Sequence, residues 1–245
     1  MIYLSETDMA KKPSLVISTG AGISAESGIS TFRDSGGQWE KYDVMEVASH
    51  EGWLRNPQLI HRFYNARRRD VALAMPNEAH KTLVELEDDF DVTVITQNVD
   101  DLHERAGQSK VIHLHGELSK VEAVDDSELV WKLQPGNEET TVDTVIDGHH
   151  VRPHIVFFGE AVPMMEPAVE AVAQADIFVI IGTSMVVYPA AALLRYVRRG
   201  VPVYYIDPNP STNIPSEVTV IKEPATTGVR KLAQILRQQY KPTGR

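Results

Sequence analysis

The sequence predicts an α/β fold: a doubly wound parallel sheet with a second, small domain made from two insertions. Three observations carry this expectation. Short apolar runs such as Leu15–Ile17 and Ile177–Ile181 read as strands covered on both faces, as strands of a parallel sheet are. Helical patterns separate such runs at the spacing of β-α-β units. Two stretches, residues 36–76 and 117–152, break the alternation.

In chain order, residues 1–12 form a flexible or helical lead-in, and the first strand is about Leu15–Ser18. Gly20-Ala21-Gly22 then turns the chain into a helix. Trp39, Tyr42, Trp53, Leu54, Leu59, Ile60 and Phe63 recur at helix-like spacings, and Asn56-Pro57 is a helix-start signal. Asn77 is placed to cap a helix running to about Glu87. Val92–Thr96 alternates and is β-branched, a strand ending in Gln97-Asn98-Val99-Asp100. A short helix follows and Gly107 stops it. Val111–Leu114 is a third strand, ending in His115-Gly116.

Residues 117–152 read as a hairpin-like excursion, with turns at Gln134-Pro135-Gly136-Asn137 and Asp147-Gly148. The remaining strands are Ile155–Phe158, Ile177–Ile181, Val203–Ile206 and Val218–Ile221. Helices are expected over Glu166–Ala175, Pro189–Arg199 and about Val229–Tyr240, the last capped by Thr227. The large domain then takes residues 1–35, 77–116 and 153–245, and the small one residues 36–76 and 117–152.

A chain of 245 residues suffices for one large domain with an inserted module. Lys and Arg number 24 against 34 Asp and Glu, a net charge of −10, which argues against broad nucleic-acid or anionic-membrane binding. There is no cysteine, so a disulfide framework, a thiolate nucleophile and a cysteine zinc site are excluded. The opening MIYLSETDMAKKP is too polar for a signal peptide, and no apolar run reaches the roughly 18 residues of a membrane helix. The expectation is a soluble, cytoplasmic, monomeric protein.

The polar and glycine-rich motifs fall where strands end: Gly20-Ala21-Gly22, Gln97-Asn98-Val99-Asp100, His115-Gly116, Phe158-Gly159-Glu160, Gly182-Thr183-Ser184 and Asp207. Ligands of open α/β sheets bind at the carboxyl ends of the strands, so six such motifs point to one crevice. Glycines at the first turn let backbone close on a ligand, and a helix N-terminus suits a pyrophosphate. Gly28 sits too late for G-x-G-x-x-G, which disfavours an ordinary dehydrogenase.

GAGISAESGISTFRD, TQNVDDLHERAG, HLHGEL, VFFGE and GTS, in this order, resemble the sirtuin family of NAD-dependent protein lysine deacylases. The resemblance covers roughly residues 13–240. It implies a Rossmann-like large domain, NAD as a consumed co-substrate, and an acyl-lysine protein or peptide threaded between the domains. Gly20, Ala21, Gly22 and Ser24 would hold the pyrophosphate side, and Phe32 and Arg33 would screen the nicotinamide ribose. Gln97, Asn98 and Asp100 would bind that ribose and the carboxamide, with Asn98 also catalytic. Gly182, Thr183 and Ser184 would meet the adenosine side and phosphates, and Asp207, Asn209 and Ala225 the adenine and its ribose.

His115 would be the general base, since an imidazole with a pKa of about 6.5 can take a proton from a ribose hydroxyl near neutral pH. The implied reaction opens with the acyl oxygen attacking the ribose C1′ as nicotinamide leaves. The 2′-hydroxyl, activated by His115, then attacks, and hydrolysis gives free lysine and 2′-O-acyl-ADP-ribose. Val156 would offer backbone hydrogen bonds to the substrate amide. His113 is expected to be uninvolved, on the other face of its strand.

Tyr64 and Arg67 lie three apart on a predicted helix, so they share a face. A guanidinium grips a carboxylate bidentately and a phenol adds a bond, so the pair resembles the sirtuin branch that removes succinyl and malonyl groups. The alternative is that Arg67, Arg68 and Arg69 form a solvated basic face. Two departures stand out. The segment after His115 lacks the family's zinc cysteines, so no metal is expected, and Val121, Val124, Leu129, Trp131, Leu133, Val142, Val145 and Ile146 would hold it instead. Asp207 stands where the family usually has asparagine; accepting from both ribose hydroxyls, it would favour NAD over NADP. A sirtuin-fold ADP-ribosyltransferase and a non-catalytic NAD sensor are the competing readings, and a retained base at His115 argues against both.

Overall fold

Ser14–Thr19 (β1) runs through the middle of a six-stranded sheet, flanked by Asp91–Thr96 (β2) and Ile177–Ile181 (β8). The computed structural model describes residues 12–29, 42–134, 136–183, 190–211 and 214–240. Val111–His113 (β3) closes one edge; Val203–Ile206 (β9) and Val218–Ile221 (β10) complete the other, in the order β10-β9-β8-β1-β2-β3. Every neighbouring pair is parallel. The register sets the strand ends level: Thr19 lies opposite Thr96 and Ile181, Thr96 opposite His113, and Ile181 opposite Ile206. All the turns leaving these ends therefore emerge on one rim.

Successive strand residues face opposite sides, and both sides are covered. Leu15 and Ile17 pack beneath Glu78–Glu85 (α5) and Ala225–Gln239 (α8), through Leu83, Val229, Leu232 and Leu236. Val16, Phe178 and Ile180 pack beneath Met165–Gln174 (α7) and the 3₁₀ segment Ala190–Tyr196, through Ala168, Val172 and Leu193. Asn77 caps α5 in a reciprocal box with His80, as its position predicts. Short helices Gly22–Ala25 (α1) and Leu102–Ala106 (α6) follow β1 and β2.

The first insertion folds as Val44–Val47 (α2), His50–Arg55 (α3) and Pro57–Leu73 (α4), the last capped by Asn56 with Pro57 at its start. The second is an antiparallel sheet of Gly116–Ala123 (β4), Val130–Lys132 (β5), Val145–Ile146 (β6) and His149–Ile155 (β7), in the order β5-β4-β7-β6. Among the described residues, no helix is long and apolar enough to cross a membrane.

The structure departs from the sequence-based expectation at four places. Ile155–Phe158 is not a strand of the large sheet. Ile155 ends β7, and Phe158 makes only an isolated bridge to Ser49. The described part of the expected Pro189–Arg199 helix is 3₁₀ rather than α. Thr227 does not cap α8, because Glu26 reaches across the fold and accepts from the Thr226 amide at 3.0 Å and its hydroxyl at 2.7 Å.

The fourth departure concerns what holds the cysteine-free module. Val121 is buried, but Val124 and Val145 are half exposed and Leu129 is exposed as well, so the apolar set is too open to act as a core. The module is latched to α4 by polar groups instead. His61, Asn65 and Arg68, spaced four and three apart, share a helix face. Asn65 imitates a strand partner: its Nδ2 donates to the Thr140 carbonyl at 2.8 Å and its Oδ1 accepts from the Thr140 amide at 3.1 Å. His61 Nδ1 meets the Thr140 hydroxyl at 2.9 Å, and Arg68 Nε donates to the Leu118 carbonyl at 2.7 Å. Beside the latch, Arg152 pairs with Glu160 and Glu122 and lies 4.3 Å from the Phe157 ring centroid.

Asn65→Ala is therefore expected to lower stability by about 2–4 kcal/mol, since it strands buried partners. Hydrogen exchange should rise over residues 138–146 before it rises in the large sheet. Buried histidines add a pH dependence. Burial lowers His61, helped by the charge of Arg68, and burial alone lowers His80, each to about 4. The unfolded chain then binds more protons below its own histidine pKa of about 6.5. The unfolding free energy is expected to hold above that pH and to drop by roughly 2–3 kcal/mol per histidine as pH falls toward 4, as urea titrations at several pH values would show.

Candidate active site

Level strand ends gather most of the sequence-predicted residues on one rim. The first turn is packed against the turn after β8 with no room for side chains. A Cβ on Gly22 would lie 2.6 Å from Gly182 Cα, and one on Gly20 would lie 2.8 Å from Gly182 O. This changes the role of these glycines: they let two backbones touch, in addition to leaving space for a ligand. The same packing occupies amides expected to be free. Gly20 N donates to Ile181 O, Gly22 N to Gly182 O, Ile23 N to Gly20 O and Ser24 N to Ala21 O. The Ala21 amide is left without a partner among the described residues.

The loop after β2 is held by the segment that follows it in the sheet. Four consecutive carbonyls accept hydrogen bonds: Thr96 O from Leu114 N at 2.9 Å, Gln97 O from His115 Nδ1 at 3.0 Å, Asn98 O from His113 Nδ1 at 3.2 Å, and Val99 O from Leu118 N at 2.8 Å. Side chains of the loop are thereby aimed at the first turn. Asn98 Nδ2 donates to Gly20 O at 3.2 Å and to Ser24 Oγ at 3.1 Å, and Ser24 Oγ donates to Asp100 at 3.1 Å. Gln97 Nε2 donates to Thr183 Oγ1 at 3.2 Å. Burial raises the Asp100 carboxyl, against the opposing bonds from the Leu102 amide and Ser24.

The state of His115 follows from its hydrogen-bond partner among the described residues, the Gln97 carbonyl. A carbonyl accepts only, so Nδ1 carries the hydrogen and Nε2 carries the lone pair. Burial lowers its pKa, partly offset by the bond to Gln97. The ring is thus neutral and basic at Nε2 near neutral pH. Gly116 beside it, with a φ of +82°, allows the chain to turn, and a Cβ there would strike His154 O at 2.1 Å. The His115 carbonyl accepts from the Val156 amide at 3.0 Å, so the Val156 N–H is already used within the fold. His113 differs from expectation: it faces the same loop as His115 and pairs with Glu104 at 2.7 Å.

Tyr64 and Arg67 are both buried on α4, and Arg68 is buried in the latch. Of the alternative basic face, Arg69 alone is exposed, paired with Glu139. Tyr64 packs against Phe157 with ring centroids 5.9 Å apart. Burial pushes its phenol up, so it is a neutral donor. Burial lowers Arg67, against the charges of Asp70, Tyr64 and Asp100, and it remains a cation at neutral pH. At the far side of the rim, Asp207 is nearly buried at the end of β9 and accepts from the Asn209 amide at 2.8 Å; Ala225 is buried at the start of α8. Phe32, Arg33 and Ser184 lie outside the described residues. The sequence reading missed Glu104 and His113 as partners, although the H-x-H spacing that ends at His115 is visible in it.

Among the described residues the rim leaves the Ala21 amide without a partner and presents the neutral side-chain amide of Gln97 beside Thr183. Among the described residues no group of three or more His, Asp or Glu is arranged to hold a metal ion.

The Sir2 family model matches residues 20–189. A protein of Bacteroides thetaiotaomicron named NAD-dependent protein deacylase is 55% identical over 227 residues, which span 91% of this chain and 97% of that one. A Helicobacter pylori protein of the same name is 50% identical over 219 residues, 89% of this chain and 95% of that one. Among solved structures, a Sir2 homolog–NAD complex is 35% identical with a TM-score of 0.82, covering 93% of this chain and 90% of that one. A mutant Sir2 homologue with 2′-O-acetyl ADP-ribose is 34% identical with a TM-score of 0.84, covering 94% of each chain. The family model spans about two thirds of the chain and the relatives and solved fold nearly all of it, and the chain belongs to the Sir2 family, the sirtuins.

Proposed function

We propose that this sirtuin removes acyl groups from protein lysines with NAD as co-substrate, taking succinyl- and malonyl-lysine as well as acetyl-lysine. The products would be nicotinamide, 2′-O-acyl-ADP-ribose and free lysine. Its curated relatives are named NAD-dependent protein deacylases, and the observation that carries the reading is the fixed tautomer of His115. With Nδ1–H held by Gln97 O, its Nε2 is a base of the kind that a ribose hydroxyl requires. A protein that only bound NAD would have no use for such a base.

Each side-chain role follows from placement. When bound, NAD supplies a ribose carbon with a good leaving group. Ser24, Asn98 and Asp100, already bonded to one another, would orient that ribose, and the Ala21 amide and Thr183 would lie toward the phosphates. Asp207, with one oxygen held by the Asn209 amide, would accept from the adenosine ribose and disfavour a 2′-phosphate. Tyr64 and Arg67 would meet the acidic end of a succinyl or malonyl group, a reading favoured over a solvated face by the burial of both, with Tyr64 packed on Phe157. Acetyl-lysine fits the same space with fewer contacts. Transfer of ADP-ribose to a side chain is the second reading, and acyl-ADP-ribose among the products separates the two.

His115→Ala is expected to lower turnover by about 10²–10⁴-fold while NAD affinity changes much less, measured by product mass spectrometry and calorimetry. Since burial lowers the His115 pKa, kcat/KM should stay high as pH falls past about 6.5 and decline only below it; an acid limb above that value would contradict the buried neutral ring. Arg67→Met should cut kcat/KM for a succinyl-lysine peptide roughly 10–100-fold and leave the matched acetyl peptide within about threefold. Equal losses on both peptides would rule out the carboxylate grip.

A further inference from the structure

We infer that His113, paired with Glu104, is a positioning residue for the loop that orients Asn98 and His115, and that it works as a fixed imidazolium. The inference rests on the reading of His115 as the base. Its warrant is the pair of atoms that the ring faces. Nδ1 lies 3.2 Å from the Asn98 carbonyl and Nε2 lies 2.7 Å from a Glu104 carboxylate oxygen. Both partners are acceptors, so each ring nitrogen must carry a hydrogen for both bonds to form. Two histidines two residues apart thus bind neighbouring carbonyls of one loop in opposite protonation states: His115 neutral on Gln97 O, His113 charged on Asn98 O.

The surroundings agree. Glu104 and His103 reach the ring from α6, Glu117 from β4 and Asp100 from the loop itself, and Lys120 holds Glu117 at 2.5 Å. Burial alone would lower His113, but the bond to Glu104 and the charges of Glu104 and Glu117 outweigh it and the pKa is raised. Glu104 is in turn held below the usual carboxylate range: burial works against this, and His113 prevails. A neutral ring would set a lone pair against either the carboxylate or the Asn98 carbonyl. Loss of the second contact would free the peptide whose side chain bonds Gly20 and Ser24 and whose neighbour orients His115.

The test uses the full chain with ¹⁵N-labelled histidine. Long-range ¹H–¹⁵N spectra, with His113 assigned through His113→Gln, should show two protonated nitrogens for His113 near neutral pH and one for His115. A lone-pair nitrogen on His113 at that pH overturns the proposal, whatever the enzyme's activity. Kinetics supply the second arm. Glu104→Gln should lower kcat about tenfold near neutral pH with the KM for an acetyl-lysine peptide within about twofold. It should also move the alkaline limb of the kcat profile to lower pH while the acid limb stays in place. A uniform loss with both limbs unmoved would mark an ordinary structural contact and sink the idea. If the wild-type protein turns over no acyl peptide, the functional reading has failed, and the spectra still decide the state of His113.

Discussion

Four carbonyls in a row, Thr96 to Val99, each find a donor in residues 113–118, and the chemistry of the rim depends on that seam. Regular parallel pairing of β2 and β3 stops at Thr96 and His113. Beyond it a loop would ordinarily satisfy its polar backbone with water. Here two imidazoles and two amides continue the pairing past the end of the sheet. The loop carrying Asn98 and Asp100 is thereby as constrained as a strand, and the base is constrained by the same bonds. Preorganisation of this kind is what a site needs if its groups are to meet charge developing during reaction without rearranging.

A second constraint acts through α4. One of its faces is latched to Thr140 through His61, Asn65 and Arg68, while Tyr64 and Arg67 on another face lie toward Phe157 and Asp100. Its C-terminal end is tied to α6, because Arg105 donates to the Val71 and Ala74 carbonyls. The helix is therefore fixed by both the small sheet and the large domain. Polar bonding at buried, well-defined positions does for this module what an apolar core with so few buried residues would not.

Much of this was legible in the sequence. The large-sheet strands from β1 to β10 stand within a residue or so of their apolar runs, because parallel strands buried on both faces leave an unambiguous signature. Most of the rim motifs were legible as well, since strand ends in such a sheet share one edge, but Phe158-Gly159-Glu160 was not, because it follows no strand of that sheet. Several of the departures depend on partners that a local reading does not see. Thr227 looked like a cap until Glu26, 200 residues away from Thr226, took that work. The alternative of a solvated face over Arg67 to Arg69 gives way because a helix sends neighbours to different sides, and the three arginines meet three different surroundings. His113 read as idle because strand geometry says where a side chain starts but not which carbonyl or carboxylate waits for it. The hydrophobic list for the cysteine-free module failed because composition cannot tell an edge residue from a core one.

The contact between Gly22 and Gly182 has a consequence for how this crevice can change over generations. The obstacles that a new Cβ would meet at either position are backbone atoms, which no rotamer change can move aside. A substitution on one turn therefore has no single compensating partner on the other. The two turns, about 160 residues apart in the chain, behave as one heritable unit. Variation in what the crevice accepts is channelled instead to surfaces whose neighbours are side chains, such as the face of α4 that bears Tyr64 and Arg67.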